Sequence, residues 1–165
     1  MTINLFLVID GIEGEAQATD PPYRNSIEVQ SWSWGANGST SAVMGPGAVR
    51  PTIQSLTCTK WVDRATPKIY ECLLTGRHIP RCILSCVKPI GPAATAKHDQ
   101  LLVLTMNDCV ISNAVTNSRA GEERITENVT LHFSRIQLDY YYRDPQGHAG
   151  STISFKWDVA HSAPF

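Results

Sequence analysis

The stretch Glu28-Val-Gln-Ser-Trp-Ser-Trp-Gly35 decides how this chain folds. With Ser26 and Ile27 it makes a run of ten residues rich in β-branched and aromatic side chains, the types that fit a pleated, half-buried surface. Residues two apart on a strand share a face. Ile27 and Val29 therefore fall on one face and Trp32 and Trp34 on the other, so the apolar face changes sides near Gln30 and Ser31. A flat sheet with one wet side does not need that switch. A strand that bends from one sheet into another does, and so does one that buries its second face against a neighbouring molecule.

Upstream, residues 3 to 9 alternate, with Ile3, Leu5, Leu7 and Ile9 on one face, and predict a strand. Asp10-Gly11 and Gly14 end it, and Asp20-Pro21-Pro22 marks a loop. Downstream, Ala36 to Pro51 carries Gly38, Gly45, Pro46, Gly47 and Pro51 among small polar residues. That predicts a long loop, and loops of this length are usually functional or mobile. Val43 and Met44 form an apolar pair near its tip, readable as a contact with another molecule or as a fold-back onto the parent barrel.

Leu56 to Val62 resumes a strand, and Asp63 to Gly76 predicts a short helix. Thr66 is its expected cap, Pro67 suits the first helical position, and Gly76 is its stop. Ile69 and Leu73 share the face that packs on the sheet, with Cys72 beside them. Further strands are expected over 81–88, 101–106 and 109–116, the second apolar almost throughout and so buried on both faces or nearly so, with a bulge or bend at Asn107-Asp108. Glu127 to Tyr142 repeats the phase switch: Val129, Leu131 and Phe133 are odd-numbered, Ile136, Leu138, Tyr140 and Tyr142 even. One extra residue near Ser134-Arg135, a β-bulge, would restore register. After a turn over 144–150, Ile153, Phe155, Trp157 and Val159 oppose Ser154, Lys156 and Asp158 in a last strand. The pattern predicts a mainly β fold: a two-sheet β-barrel of antiparallel strands with one short flanking helix and a long protruding loop, a single domain over residues 1–165.

The 165 residues carry a net charge of −1 with no block of like charges, which argues against nucleic-acid and membrane-surface partners. Charged residues make up 18%, below the roughly 25% usual for soluble domains, and Ser, Thr, Asn and Gln fill the polar positions. No apolar run reaches the ~20 residues a membrane helix requires. Leu5 to Ile9 lacks preceding basic residues and reads as a strand, not a signal peptide. The five cysteines are odd in number and unevenly spaced, which predicts reduced thiols.

Candidate chemistry is sparse. His78, Cys82 and Cys86 are spaced by four, but four residues of strand span about 13 Å, too far for ligands of one zinc ion. Cys58 or Cys109 would need an adjacent histidine to act as a nucleophile. His132 reads as a solvated or interface side chain, and Asp10, Glu13 and Glu15 as an ordinary charged turn. No nucleophile elbow and no phosphate-binding glycine loop is present. The expectation is no catalytic residue, no cofactor and no metal: a protein that binds and is not an enzyme.

Taken in order, Phe6-Leu-Val-Ile-Asp-Gly-Ile-Glu-Gly-Glu15, the Trp-rich strand, Thr59-Lys-Trp-Val-Asp-Arg-Ala-Thr-Pro-Lys-Ile-Tyr70 running into Gly76, Glu127-Asn-Val-Thr-Leu-His-Phe-Ser134 and Tyr140 to Asp144 resemble the Hcp family, the tube protein of bacterial type VI secretion. The resemblance implies a β-barrel with a short helix that closes into hexameric rings. Such rings stack into a hollow tube, topped by a trimeric spike, surrounded by a contractile sheath and holding small effectors in the lumen. It implies assembly in the bacterial cytoplasm and then secretion to the medium or a target cell. It also implies that the long loop reaches the neighbouring ring, with Ser39, Val43, Met44, Val49 and Arg50 as the expected stacking contacts. The other reading is a β-sandwich binding module for carbohydrate or peptide, using Trp32 and Trp34 as exposed platforms.

Overall fold

Strand β1 (Asn4–Ile9) buries Leu7 and Ile9, with Leu5 packed at the margin of the same core, as its alternation predicts. The computed structural model describes residues 2–40, 49–92 and 95–165. In chain order the remaining elements are β2 (Ile27–Ser33), β3 (Ala36–Thr40), β4 (Val49–Ile53), β5 (Leu56–Trp61), α1 (Thr66–Thr75), β6 (Ile79–Ile90), β7 (Lys97–Asn117), β8 (Thr126–Arg143) and β9 (Ala149–Asp158). Seven strands form one antiparallel sheet in the order β5-β2-β1-β6-β7-β8-β9. A further β5–β8 pairing closes the first six into a barrel and leaves β9 outside it, on the flank of β8. Among the described residues, strands β3 and β4 pair only with each other, as a separate two-stranded sheet.

The phase switch in the Trp-rich strand has a local cause. Val29 pairs with Lys60 and Ser31 with Thr59, so Gln30 is an extra residue in β2. A β-bulge of this kind turns the following side chains to the other face. Trp32 and Trp34 thereby pack against the core that holds Ile27 and Val29. The strand serves one core throughout, where its alternation had pointed to a second sheet or a neighbouring molecule.

The switch in β8 is built differently. Met106 faces Ile136 and Cys109 faces Phe133 with no slip between the two strands, so β7 and β8 change phase together. Asp108 sits at the bend with φ 53°, a left-handed conformation that Asp tolerates better than most residues. Ser134 Oγ donates to its Oδ2 at 3.0 Å and His78 Nδ1 lies 3.2 Å from its Oδ1. Here β8 also exchanges partners, from β5 up to Leu131 to β9 from Arg135 onward. The single bulge expected near Ser134-Arg135 is thus a kink shared by both strands. The two strands expected on either side of Asn107 are likewise one, β7.

Helix α1 begins and ends on different chemistry. Gly76 closes it at φ 65°, and its N–H and that of Arg77 reach back to the Leu73 and Cys72 carbonyls, as expected of a glycine stop. The cap position is Ala65, not Thr66. Thr66 is the first helical residue, and its hydroxyl accepts from the Asp63 N–H (3.2 Å) and donates to Glu127 Oε2 (2.8 Å). Lys60 Nζ lies 2.8 Å from the same Glu127 oxygen and 3.0 Å from Asp63 Oδ1, with both Lys60 and Glu127 at 0% exposure. This buried ionic knot ties the start of the helix to β5 and β8.

A smaller cluster forms on the outside of β1. Residues 10–26 cross there, and Phe6 stacks on Tyr23 at 5.1 Å with His98 edge-on to both rings. Asp20 accepts the His98 backbone N–H at 2.5 Å, and the His98 ring Nδ1 lies 3.1 Å from the same oxygen. Gly14 is required for this crossing, since a Cβ there would lie 2.4 Å from the Ser26 carbonyl oxygen.

Candidate assembly surface

Strand register sets the rows of side chains on the inner face of β1, β6, β7, β8 and β9. One row runs Ile9, Cys82, Met106, Ile136 and Trp157; the next Leu7, Leu84, Leu104, Leu138 and Phe155; the third Leu5, Cys86, Leu102, Tyr140 and Ile153. All fifteen positions are apolar, aromatic or cysteine. Those deepest under the barrel, from Ile9 and Leu7 across to Met106 and Leu104, are buried. Toward β9 the barrel wall stops and the rows continue: Phe155 is 43% exposed, Tyr140 46% and Ile153 59%. Tyr142 adjoins them and is also exposed, and Phe155 stacks on Trp157 with ring centroids 6.3 Å apart. The core of the barrel therefore runs out onto an uncovered corner.

That corner lies on the sheet's free margin. Among the described residues β9 pairs with β8 alone, apart from one bridge between Asp158 and Ala163 where the chain doubles back. Its outer N–H and C=O groups are ready to pair with another strand. Contiguous exposed aromatic and aliphatic side chains beside such an edge mark a protein-contact surface.

The region expected as a long loop is in its described parts a two-stranded arm. Gly38 pairs with Pro51, Ser39 with Arg50 and Thr40 with Val49. The glycine, prolines and short polar residues hide this pairing from a reading of periodicity. Of the expected stacking residues, Ser39, Val49 and Arg50 fall on the arm's paired strands, while Val43 and Met44 lie outside the described residues. The arm leaves the barrel where β2 ends and β5 begins.

The other candidates are dispersed. His78 is exposed beside Asp108, whereas Cys82 is buried against Cys109 and Cys86 against Trp32. Burial, reinforced by the neighbouring Cys86, pushes the Cys58 thiol up to about 12. The hydrogen bond with Cys109, together with burial, pushes Cys82 well above the ordinary thiol range. Thiols held neutral in this way are poor nucleophiles. His132 is exposed and its Nδ1 lies 2.7 Å from Ser55 Oγ, a meeting of residues 77 positions apart that no local pattern announces. No carboxylate is bonded to that ring among the described residues, so the pair lacks the third group that would orient a base. Glu13 and Glu15 engage Arg64, whose Nε also donates to the Gly14 carbonyl at 2.7 Å. No three His, Cys, Asp or Glu side chains gather as metal ligands among the described residues. Trp32 and Trp34 are part of the core margin, so neither is the exposed platform that the binding-module reading requires.

Fold and surface together define a class: a β-barrel whose uncovered chemistry is apolar surface, strand edge and a projecting arm. Residues 6–140 match the family described as "Type VI secretion system effector, Hcp". The chain is 32% identical over 162 residues to the protein hcp1 of Pseudomonas aeruginosa, covering 96% of each. Among solved structures it is similar to Hcp1 from Salmonella typhimurium, at 28% identity over the whole of both chains with a TM-score of 0.76. It shares the fold of a type six secretion system protein at 20% identity, with 99% of this chain and 100% of that one covered and a TM-score of 0.83. The chain belongs to the Hcp family of the type VI secretion system, a family of secreted structural proteins and not of enzymes. Among the described residues no helix is long and apolar enough to cross a membrane.

Proposed function

We propose that this protein is a structural tube subunit that acts through binding and not catalysis, with residues 1–165 working as one domain. Six copies close into a ring through heterologous contacts, in which the bare corner of one copy meets a different patch of the next. Rings then stack into a hollow tube that holds small effectors, with a trimeric spike at its tip and a contractile sheath around it. Assembly takes place in the bacterial cytoplasm and secretion follows. The observation that carries this reading is the apolar inner face continuing past the barrel onto β9, the strand at the sheet's free margin. Covering Phe155, Tyr140 and Ile153 with a neighbour removes a large apolar area from water, at roughly 25 cal/mol per Å².

In this reading the arm joins rings, with Ser39, Val43, Met44, Val49 and Arg50 as its contacts. Val43→Asp with Met44→Asp then leaves rings intact and weakens stacking, because an unpaired charge buried in a contact is unfavourable. Negative-stain images of purified protein test this. Rings that stack in the wild type and separate in the double variant are the expected result. Tubes that persist unchanged in the variant contradict the arm's role, and images without rings contradict the whole reading.

A further inference from the structure

The arm leaves the barrel at the junction of β2 and β5, where Ser33 pairs with Thr57. At the opposite end of the same two strands lies a cleft of about 510 Å³. Trp61 and the exposed Ile125 form its apolar floor, and Glu15, Glu28 and Glu123 its rim. One cation faces them, Arg124, whose guanidinium stacks 3.7 Å above the Trp61 ring. Glu28 and Glu123 have no ion-pair partner among the described residues. The cleft therefore combines an apolar floor with excess negative charge. The arm segment from Ala36 to Gln54 has the matching composition: its one charged residue is Arg50, and it carries Val43, Met44 and Val49 besides.

We infer that the Trp61 cleft of one copy receives the arm of a second copy, with Arg50 drawn to the Glu28 and Glu123 carboxylates. The inference rests on the stacking function proposed above and names the surface that stacking uses. Arm and cleft at opposite ends of one strand pair make the contact heterologous, so each copy offers an arm at one end and a cleft at the other. Such a contact propagates from ring to ring and does not close on itself. Charge complementarity across a contact fixes register and excludes wrong partners, and like charges placed opposite each other disfavour it.

A charge swap tests the pairing. Full-length Arg50→Glu and the double variant Glu28→Lys with Glu123→Lys are purified as rings and scored for stacks by electron microscopy and light scattering. Each alone is expected to lower the stacked fraction roughly tenfold or more. An equal mixture of the two is expected to recover to within about threefold of wild type. In the mixture the acidic arm of one variant meets the lysine cleft of the other, while an unaltered arm meets an unaltered cleft. The milder Glu28→Gln with Glu123→Gln is expected to weaken stacking less and to flatten its salt dependence, which guards against a folding defect in the reversal. Stacking lost in Arg50→Glu but unchanged in the cleft variants would mean that the arm docks elsewhere, overturning this inference and leaving the tube reading intact. Stacking unaffected by either change, or a mixture that fails to recover, overturns it as well. Wild-type rings that never stack remove the tube reading itself.

Discussion

Lys60 and Glu127 are 67 positions apart and meet at 2.8 Å with neither side chain exposed. Two charges in that position are held by their mutual attraction and by hydrogen bonds, and removing one leaves the other desolvated and unmatched. Lys60→Met is accordingly expected to cost about 3–5 kcal/mol in denaturant unfolding, and Lys60→Met with Glu127→Leu to recover most of that loss. A single variant within about 1 kcal/mol of wild type contradicts the account. Three carboxylates contribute to the acid response. Asp108 is held below the ordinary carboxylate range by Ser134 and then His78, Asp158 by His161 and Arg135, and Asp144 by the His148 N–H and side chain. A depressed folded-state pKa contributes stability that is complete above the unfolded value, near pH 4, and is lost as pH falls through the lower folded value. Asp158→Asn is expected to flatten the fall in melting temperature between about pH 5 and 2. A slope identical to wild type refutes this role for Asp158. The pairing of Lys60 with Glu127, of Ser134 and His78 with Asp108 and of Arg135 with Asp158 was not legible in the sequence, because it depends on which strands lie side by side. His148 and His161, by contrast, lie within four residues of the carboxylates they meet.

At the scale of elements, the sequence shows a pattern clearly when neighbouring residues determine it. The alternation of β1, the glycine stop of α1 and the apolar face of β9 are of that kind. So are the two phase switches, although their causes differ: an extra Gln30 in β2, and a kink centred on Asp108 that β7 and β8 share. Deleting Gln30 removes the bulge and the phase switch together and leaves Trp32 and Trp34 on the core face of a regular strand, in step with Ile27 and Val29, since a one-residue slip exchanges the faces of a strand. The expected result is a folded variant with tryptophan emission like that of the wild type. A red-shifted emission contradicts this account of the bulge. The arm of β3 and β4 was illegible, because its pairing relies on backbone hydrogen bonds between residues such as Gly38 and Pro51 that have no alternation to display. Thr66 misled for a related reason: a distant carboxylate, Glu127, takes the hydroxyl that a local reading assigns to capping.

For the whole molecule, the barrel explains why the bare corner exists. Five strands continue one apolar face, but the wall closes through the β5–β8 pairing, and β9 lies beyond it. The low charged fraction of 18% fits a chain much of whose surface meets other protein. The candidate surface was half legible: the apolar alternation of residues 153–159 is plain in the sequence, whereas its exposure follows only from the register of β8 and β9. Native mass spectrometry of the purified full-length chain, read beside a Phe155→Asp variant, tests the self-assembly claim most directly. The account predicts a wild-type species near six times the 18.1 kDa chain and a folded monomer for the variant. A wild-type chain that remains monomeric at high concentration would contradict it.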